Sequence, residues 1–197
     1  MQQLIKARIG ILCVSWWGEK NSDSQLLHLD GYTDEAVTLI LDYAEKYNIK
    51  VCFHHEPYEG RTANSLKNDL KYIINHYGNH KAFFRWKEYE NRPVFFVYDS
   101  YLIDRRQWAT ILDPKSPDTI RGTFIDSILI ALYVDLKDEK LITEGHFDGG
   151  YTYFATNGFT YGSSISNWKH ISEWANLSNK IFIPSVGPGY DDTRIRQ

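Results

Sequence analysis

Histidines, carboxylates and aromatic residues follow directly after short apolar segments of this sequence. His54 and Glu56 stand at the end of one such segment, and Tyr98 and Asp99 close the next. In proteins with parallel sheets, the chemistry of the site lies at the carboxyl ends of the strands. Carboxylates and imidazoles can take the hydroxyls of a sugar, while aromatic rings cover its apolar face. The pattern therefore favours a cleft for carbohydrate.

The alternation of side chains along a strand leaves other roles open for several of these residues. Trp16 and Trp17 must point to opposite sides of one strand, so one indole belongs to the core and the other can line a cleft. His54 and Glu56 share a face, whereas His55 points away and is expected to pack against a helix. A structural hydrogen-bonding role is the rival interpretation for Glu56.

Other conspicuous residues have simpler interpretations. A metal site is not predicted, because no clear third ligand accompanies the histidine and glutamate of the second strand. Asp99 could cap the loop that follows it. Asp148 begins its strand at the end opposite the cleft, and Gly149 and Gly150 indicate a packing adjustment. The loop at residues 187–189 is read as a plain turn in preference to an anion-binding nest.

The composition excludes several classes of protein. Twenty-two Lys and Arg against 25 Asp and Glu leave a net charge of −3, which argues against a nucleic-acid binder or a polybasic membrane-surface protein. No apolar run reaches the roughly 18 to 20 residues that span a bilayer, so no membrane contact by this segment is expected. Cys13 and Cys52 are too few for a disulfide framework and are read as buried core thiols. The 15% aromatic content suits a core or a sugar-binding cleft.

Strands and helices are predicted to alternate along the chain. Near-continuous apolar runs, typical of strands covered on both faces, lie at residues 9–16, 50–56, 93–98, 127–134, 147–154 and 180–186. Helical periodicity predicts helices at residues 33–47, 63–76, 105–112, 137–144 and 166–175. Thr33 is the expected N-cap of the first of these helices. This alternation implies parallel strands joined by right-handed crossovers.

The number of these units favours an incomplete (β/α)₈ barrel. About six of the eight βα units are present, which is too few for a closed barrel. A doubly wound sheet is disfavoured, because no Gly-rich phosphate turn follows the first strand. The chain is expected to begin inside a helix, since residues 4–8 lead directly into a strand, and it stops just after the loop at residues 187–189. We therefore expect one domain over residues 1–197, truncated at both ends.

Six segments resemble endo-α-1,2-mannosidases of glycoside hydrolase family 99. They occur in order between residues 9 and 196, and they read IGILCVSWW, VCFHHEPY, KYIINHYGNH, VFFVYDSYL, FDGGYTYFATNGFTYGSS and IFIPSVGPGYDDTRIR. The resemblance implies a (β/α)₈ fold and hydrolysis, with retention, of internal α-1,2-mannosidic bonds in glucosylated high-mannose N-glycans. It also implies a location in the Golgi lumen. We expect no cofactor and no metal.

The resemblance places the family's catalytic glutamates outside this chain. In the family, one Glu deprotonates the 2-hydroxyl of the sugar, which attacks C1 to form a 1,2-anhydro sugar, and a second Glu is the acid/base. The pair belongs to a motif of the form Asn-Glu-Trp-x-Glu-Gly, which does not occur in this sequence and would follow Gln197. We therefore expect no catalytic residue in the chain and no activity from the chain alone.

What the resemblance assigns to this chain is half of a substrate cleft. By position, the residues that bind the α-mannoside are Trp16, Trp17, His54, Glu56, Tyr58, Tyr98, Asp99, Tyr151, Tyr153 and Asn157. Trp17 stands where animal members tend to have Tyr and bacterial members Trp, which predicts that mannose is accepted beside the cleaved mannose at least comparably with glucose. The alternative function is a non-catalytic mannoside-binding or vestigial protein.

One further motif lies apart from these segments. Asn176, Leu177 and Ser178 form an Asn-x-Ser triplet, the acceptor pattern for N-glycosylation in a lumenal protein. Such triplets also arise by chance.

Overall fold

The centre of the molecule is one sheet of seven strands. The computed structural model describes residues 1–19, 32–154 and 156–187. Six strands are parallel and lie side by side in the order β1 (Ile11–Trp16), β2 (Lys50–His55), β4 (Arg92–Val97), β5 (Ile128–Leu132), β6 (Gly149–Tyr151) and β7 (Ile181–Ile183). The remaining strand, β3 (Arg85–Trp86), pairs antiparallel with the start of β4.

Helices precede and connect the parallel strands. They are α1 (Gln2–Lys6), α2 (Tyr32–Lys46), α3 (Ala63–Tyr77), α4 (Arg105–Leu112), α5 (Asp138–Glu144) and α6 (Trp168–Leu177). The start of α3 is fixed by a capping box of Thr62 and Ser65. The hydroxyl of each residue accepts a hydrogen bond from the backbone N–H of the other. This box anchors the loop between β2 and α3, which borders the predicted cleft.

The sheet has a core on each of its two faces, because successive side chains point to opposite sides. On the outer face, the strand residues Trp16, Phe53, Phe95 and Leu129 are buried beneath the helices, together with Ile171 of α6. The inner face buries Val94, Ile128, Ile130, Leu132 and Tyr151. Apolar side chains on both faces explain why the strands read as continuous apolar runs in the sequence.

The predicted alternation of parallel strands and helices is confirmed. Each of the six predicted strand segments overlaps a parallel strand, and each of the five predicted helices overlaps an observed helix. Within the described residues, β1 and β7 each pair on one side only, so the sheet does not close on itself. The short strand β3 was not predicted, since two residues are too few for a recognisable pattern.

Two local predictions were wrong. Helix α2 begins at Tyr32, so Thr33 lies inside it, and the Thr33 hydroxyl accepts a hydrogen bond from the Trp17 backbone N–H at 3.3 Å. Cys13 is exposed and not a core thiol, because β1 is an edge strand of the described sheet, whereas its in-register neighbour Cys52 is buried. A hydrogen bond with the Cys52 thiol raises the pKa of the Cys13 thiol.

The glycines of β6 have the predicted packing role. A Cβ atom on Gly149 would lie 2.3 Å from the backbone oxygen of Ile181 in β7, and one on Gly150 would lie 2.8 Å from Cδ1 of Ile142. Asp148, at the opposite end of the strand from the cleft, accepts hydrogen bonds from Arg121 and from the Leu129 backbone N–H. These residues therefore hold the strands in register, away from the predicted site.

Some predicted features lie outside the described residues. They are most of the loop at 187–189 and the segment that ends at Gln197. Among the described helices, none combines the length and the apolar character needed to cross a membrane.

Candidate functional site

A hydrogen-bonded cluster occupies the inner face at the ends of β2 and β6. His54 Nδ1 lies 2.6 Å from Oε1 of Glu56, and His54 Nε2 lies 2.7 Å from the hydroxyl of Tyr151. One arrangement satisfies all three groups: Nδ1–H donates to the Glu56 carboxylate, and the Tyr151 hydroxyl donates to Nε2. Burial raises the pKa of Tyr151, which keeps this hydroxyl protonated. The carboxylate and the imidazole are thereby held in fixed orientations.

Aromatic rings surround His54 on its remaining sides. The Tyr153 ring stacks on the imidazole with centroids 5.5 Å apart, and the Tyr98 ring lies tilted at 5.2 Å. Tyr151 packs edge-on against Phe96 at 5.0 Å. Tyr153 is 50% exposed, whereas His54 is only 8% exposed. The cluster thus presents an aromatic rim beside a nearly buried polar floor, which suits a ligand with hydroxyl edges and apolar faces.

The contact between His54 and Tyr151 shows that the sheet curls toward its inner face. β4 and β5 lie between β2 and β6, which would separate these strands by about 14 Å in a flat sheet. Parallel register places His54 opposite Phe96, and Tyr151 opposite Leu132. Glu56 follows β2 by one residue and faces the same side as His54, as predicted. The concave inner face is therefore where the strand ends converge.

His55 lies on the outer face, and the prediction that it packs against a helix is confirmed. Its Nε2 is 2.9 Å from Oδ2 of Asp69 in α3, and its ring packs against Trp16 with centroids 5.5 Å apart. Burial lowers the pKa of His55. Among the described residues, no group hydrogen-bonds to its Nδ1, so protonation would place an unpaired N–H in the core.

Trp16 also lies in the helix-side core. Its indole is completely buried, and Nε1 donates to Oδ1 of Asp34 at 2.9 Å. The same carboxylate accepts from the hydroxyls of Tyr72 and Tyr77. The structure therefore gives Trp16 a supporting position in place of the predicted contact with substrate. Trp17, which follows the last residue of β1, is partly exposed, and its contact with substrate stays a prediction.

Tyr58 and Asp99 support the loops that border the cluster. The Tyr58 hydroxyl lies 2.5 Å from Oδ2 of Asp69, and burial raises the pKa of Tyr58. Asp99 has a left-handed backbone with φ of 47°, and its carboxylate accepts from the Tyr101 hydroxyl at 2.8 Å. Arg61 joins the two loops by donating to the backbone oxygens of Asp99 and of the last residue of β2. Neither predicted residue makes a described hydrogen bond to His54 or Glu56.

Asn157 lies in the loop after β6, and no described hydrogen bond joins it to the cluster. It is exposed, and its side-chain oxygen accepts from the Ile165 backbone N–H at 3.0 Å. Of the ten predicted residues, the structure brings five into mutual contact: His54, Glu56, Tyr98, Tyr151 and Tyr153.

Three supporting residues were not predicted. Asp34, Arg61 and Asp69 each fix a site residue or its loop through hydrogen bonds. The sequence does carry a signal for Asp69, an acidic residue three positions after Leu66 on the buried face of α3. Arg61 bonds to backbone oxygens, which leave no trace in a sequence. In the part of the chain that the structure describes, no three His, Cys, Asp or Glu residues converge as a metal site.

Comparison with known proteins places this geometry in context. The model of Glycosyl hydrolase family 99 matches residues 1–197. Glycoprotein endo-alpha-1,2-mannosidase of Rattus norvegicus is 47% identical over 198 residues, which cover 100% of this chain and 42% of that protein. Glycoprotein endo-alpha-1,2-mannosidase-like protein of Homo sapiens is 44% identical, with the same two coverages. The chain therefore spans less than half the length of these relatives.

A solved structure matches the fold along almost the whole chain. The GH99 endo-alpha-mannosidase from Bacteroides thetaiotaomicron superposes with a TM-score of 0.87 at 42% identity. The match covers 98% of this chain and 53% of that one. Because the match combines high identity with near-complete coverage of this chain, it confirms the predicted barrel class.

Proposed function

This chain belongs to glycosyl hydrolase family 99, and from that premise we propose that it forms part of an endo-α-1,2-mannosidase acting on high-mannose N-glycans. The reaction is hydrolysis of an internal α-1,2-mannosidic bond with retention of configuration. The proposed substrate is the glucosylated glycan, and the proposed location is the Golgi lumen. The named relatives are glycoprotein endo-α-1,2-mannosidases, which supports the substrate class and a place in the secretory pathway.

The observation that carries the proposal is the cluster of His54, Glu56 and Tyr151 on the inner face, with Tyr98 and Tyr153 at its rim. Because His54 Nδ1–H takes one oxygen of Glu56, the carboxylate keeps its other oxygen for a sugar hydroxyl. Hydrogen bonds to a charged group are each worth about 1.5–3 kcal/mol. The half-exposed ring of Tyr153 supplies a face on which a pyranose can lie.

We assign these residues to substrate binding and orientation, and none of them to bond cleavage. A carboxylate held by an imidazole at 2.6 Å has one fixed direction for its free oxygen, so it can orient a sugar ring. The family's nucleophile-activating and acid/base glutamates belong to a motif that these 197 residues do not include. The chain therefore supplies one wall of the cleft in this proposal.

Trp17 is the proposed determinant of the sugar next to the cleaved mannose. An indole offers a broad stacking face and one N–H donor, whereas a tyrosine hydroxyl also accepts a hydrogen bond. One hydrogen bond is worth about 0.5–1.5 kcal/mol, so Trp17→Tyr should change the glucose-to-mannose ratio of kcat/KM by about tenfold at most, in favour of glucose. Matched glucosyl-capped and mannosyl-capped substrates measure this ratio. An unchanged ratio would remove Trp17 from the subsite.

The proposal is tested by the products of the reaction. The protein is produced from its complete gene and incubated with glucosylated high-mannose glycan, and the released sugars are analysed by mass spectrometry and NMR. We expect a glucosyl-mannose disaccharide whose new reducing end first appears as the α-anomer. Release of single mannose residues from the chain ends would contradict the internal cleavage. Tight glycan binding without any cleavage by folded protein would favour the non-catalytic mannoside binder.

A further inference from the structure

We infer that Asn176 is N-glycosylated, at a surface remote from the candidate cleft. Asn176, Leu177 and Ser178 form the only Asn-x-Ser/Thr triplet among the 11 asparagines of the sequence, and the middle residue is not proline. The inference rests on the secretory-pathway location that accompanies the proposed function, because the modification takes place in the lumen.

The Asn176 side chain is free to carry a large group. It lies in the last turn of α6, whose buried face consists of Ile171 and Ala175. Asn176 is exposed, and the next residue, Leu177, is 86% exposed. Within the described residues, the Asn176 amide makes no side-chain hydrogen bond that a glycan would break.

The solvent side of α6 also offers room along its length. Lys169 and Glu173 are exposed on this helix and form an i,i+4 pair at 3.9 Å. The helix ends at Leu177, and Asn179 then turns the chain with a left-handed φ of 52°. Asn176 follows Glu173 by three positions and Lys169 by seven, so a sugar attached to it lies on this same exposed face of the helix.

The position leaves the cleft open. Asn176 precedes β7 by five residues, so it lies at the edge of the sheet where the strands begin. Two hydrogen bonds fix that edge of the sheet. Lys180 Nζ donates to the backbone oxygen of Phe147, and the backbone N–H of Ile181 donates to the backbone oxygen of Asp148. The candidate cleft occupies the opposite edge, where the strands end. A glycan on Asn176 is therefore compatible with substrate binding.

The chemistry is transfer of an oligosaccharide from a lipid-linked diphosphate donor. The bond between C1 of the first N-acetylglucosamine and the diphosphate oxygen breaks, and a bond from C1 to Nδ2 of Asn176 forms. The amide nitrogen loses one proton, and the lipid diphosphate leaves with the bonding electron pair. No residue of this chain has to act as a catalyst.

Peptide mapping tests the inference. The protein is produced in animal cells from its complete gene, digested with trypsin, and treated with peptide:N-glycosidase in ¹⁸O-labelled water. Cleavage after Lys169 and Lys180 yields residues 170–180, which contain Asn176 and, as an internal control, Asn179 outside any triplet. We expect ¹⁸O-labelled deamidation at Asn176 and none at Asn179. Recovery of this peptide wholly unmodified from protein that has entered the secretory pathway would overturn the inference.

Variants separate this inference from the proposed function. Asn176→Gln and Ser178→Ala should abolish the modification, whereas Ser178→Thr keeps the triplet and should keep it. The kcat/KM on α-1,2-mannoside should be unchanged in all three, since the glycan lies at the other edge of the sheet. An active enzyme without the glycan would refute only the inference, and a glycosylated protein without activity would refute only the proposed function.

Discussion

His54 and His55 are adjacent in the sequence and have opposite surroundings. His54 contacts Glu56 and Tyr151 on the inner face, whereas His55 contacts Asp69 beneath α3. We expect His54→Ala to lower kcat/KM on α-1,2-mannoside by at least about tenfold, since it removes the Nδ1–H donor that holds Glu56. We expect His55→Asn to leave kcat/KM unchanged and to lower the free energy of unfolding by about 1–3 kcal/mol. Steady-state kinetics and urea unfolding of both variants measure these two effects. A loss of kcat/KM confined to the His55 variant, with a loss of stability confined to the His54 variant, would contradict the assignment of the two faces.

The lowered pKa of His55 also predicts how stability depends on pH. Because burial disfavours the charged imidazole, the unfolded chain binds more protons than the folded chain between the lowered pKa and about 6.5. The stability from His55 is therefore fully present above about pH 6.5 and is lost as the pH falls below it. When the free energy of unfolding is measured with urea at several pH values between 5 and 7, it should rise less steeply with pH in His55→Gln than in the wild type. Equal slopes in His55→Gln and in the exposed control His76→Gln would contradict this.

For single residues, the sequence predicts the strand face on which a side chain lies better than it predicts the residues that the side chain contacts. Strand alternation assigns His54 and Glu56 to one side and His55 to the other, because the period of two is set by the backbone. It cannot decide which of Trp16 and Trp17 is buried, since both follow the same apolar run. That choice depends on Asp34, which is 18 residues distant and accepts from the Trp16 indole.

At the element scale, the glycines of β6 set the distance between the last two strands. A Cβ on Gly149 would meet the backbone of β7, which cannot shift alone, whereas one on Gly150 would meet the mobile end of Ile142. Gly149→Ala should therefore lower the free energy of unfolding by about 1–3 kcal/mol, and Gly150→Ala by less. Urea unfolding of the two variants provides the comparison. An equal or smaller loss for Gly149→Ala would show that β7 moves freely against β6.

Most of the elements are predictable, because long helices and buried strands have strong periods. Helix α4 has the predicted bounds, and α3 differs by one residue. Helix α2 starts at Tyr32, one residue earlier than predicted, and the Thr33 hydroxyl accepts a hydrogen bond from the Trp17 backbone N–H. The curl of the sheet is not visible in any one strand, because it arises from the pairing of all six.

At the scale of the whole molecule, the described sheet curls toward its inner face and does not close on itself. Its inner face carries the cluster of His54, Glu56 and Tyr151, and β1 and β7 each pair on one side only within the described residues. The two mammalian relatives are more than twice as long as this chain. Resemblance along the whole chain predicts the family, whereas the roles of single residues depend on contacts that only the fold brings together.

This inner-face cluster is proposed to bind the mannoside, and replacement of Glu56 is a direct test of that role. Glu56→Gln removes the charge but keeps the size of the side chain, and the exposed Glu59→Gln in the same loop is the matched control. The measurement is kcat/KM on an α-1,2-linked mannoside, made on protein from the complete gene whose folding is checked by its Tm. We predict a loss of at least about tenfold for Glu56→Gln and none for Glu59→Gln. Wild-type kcat/KM in a fully folded Glu56→Gln variant would contradict the claim.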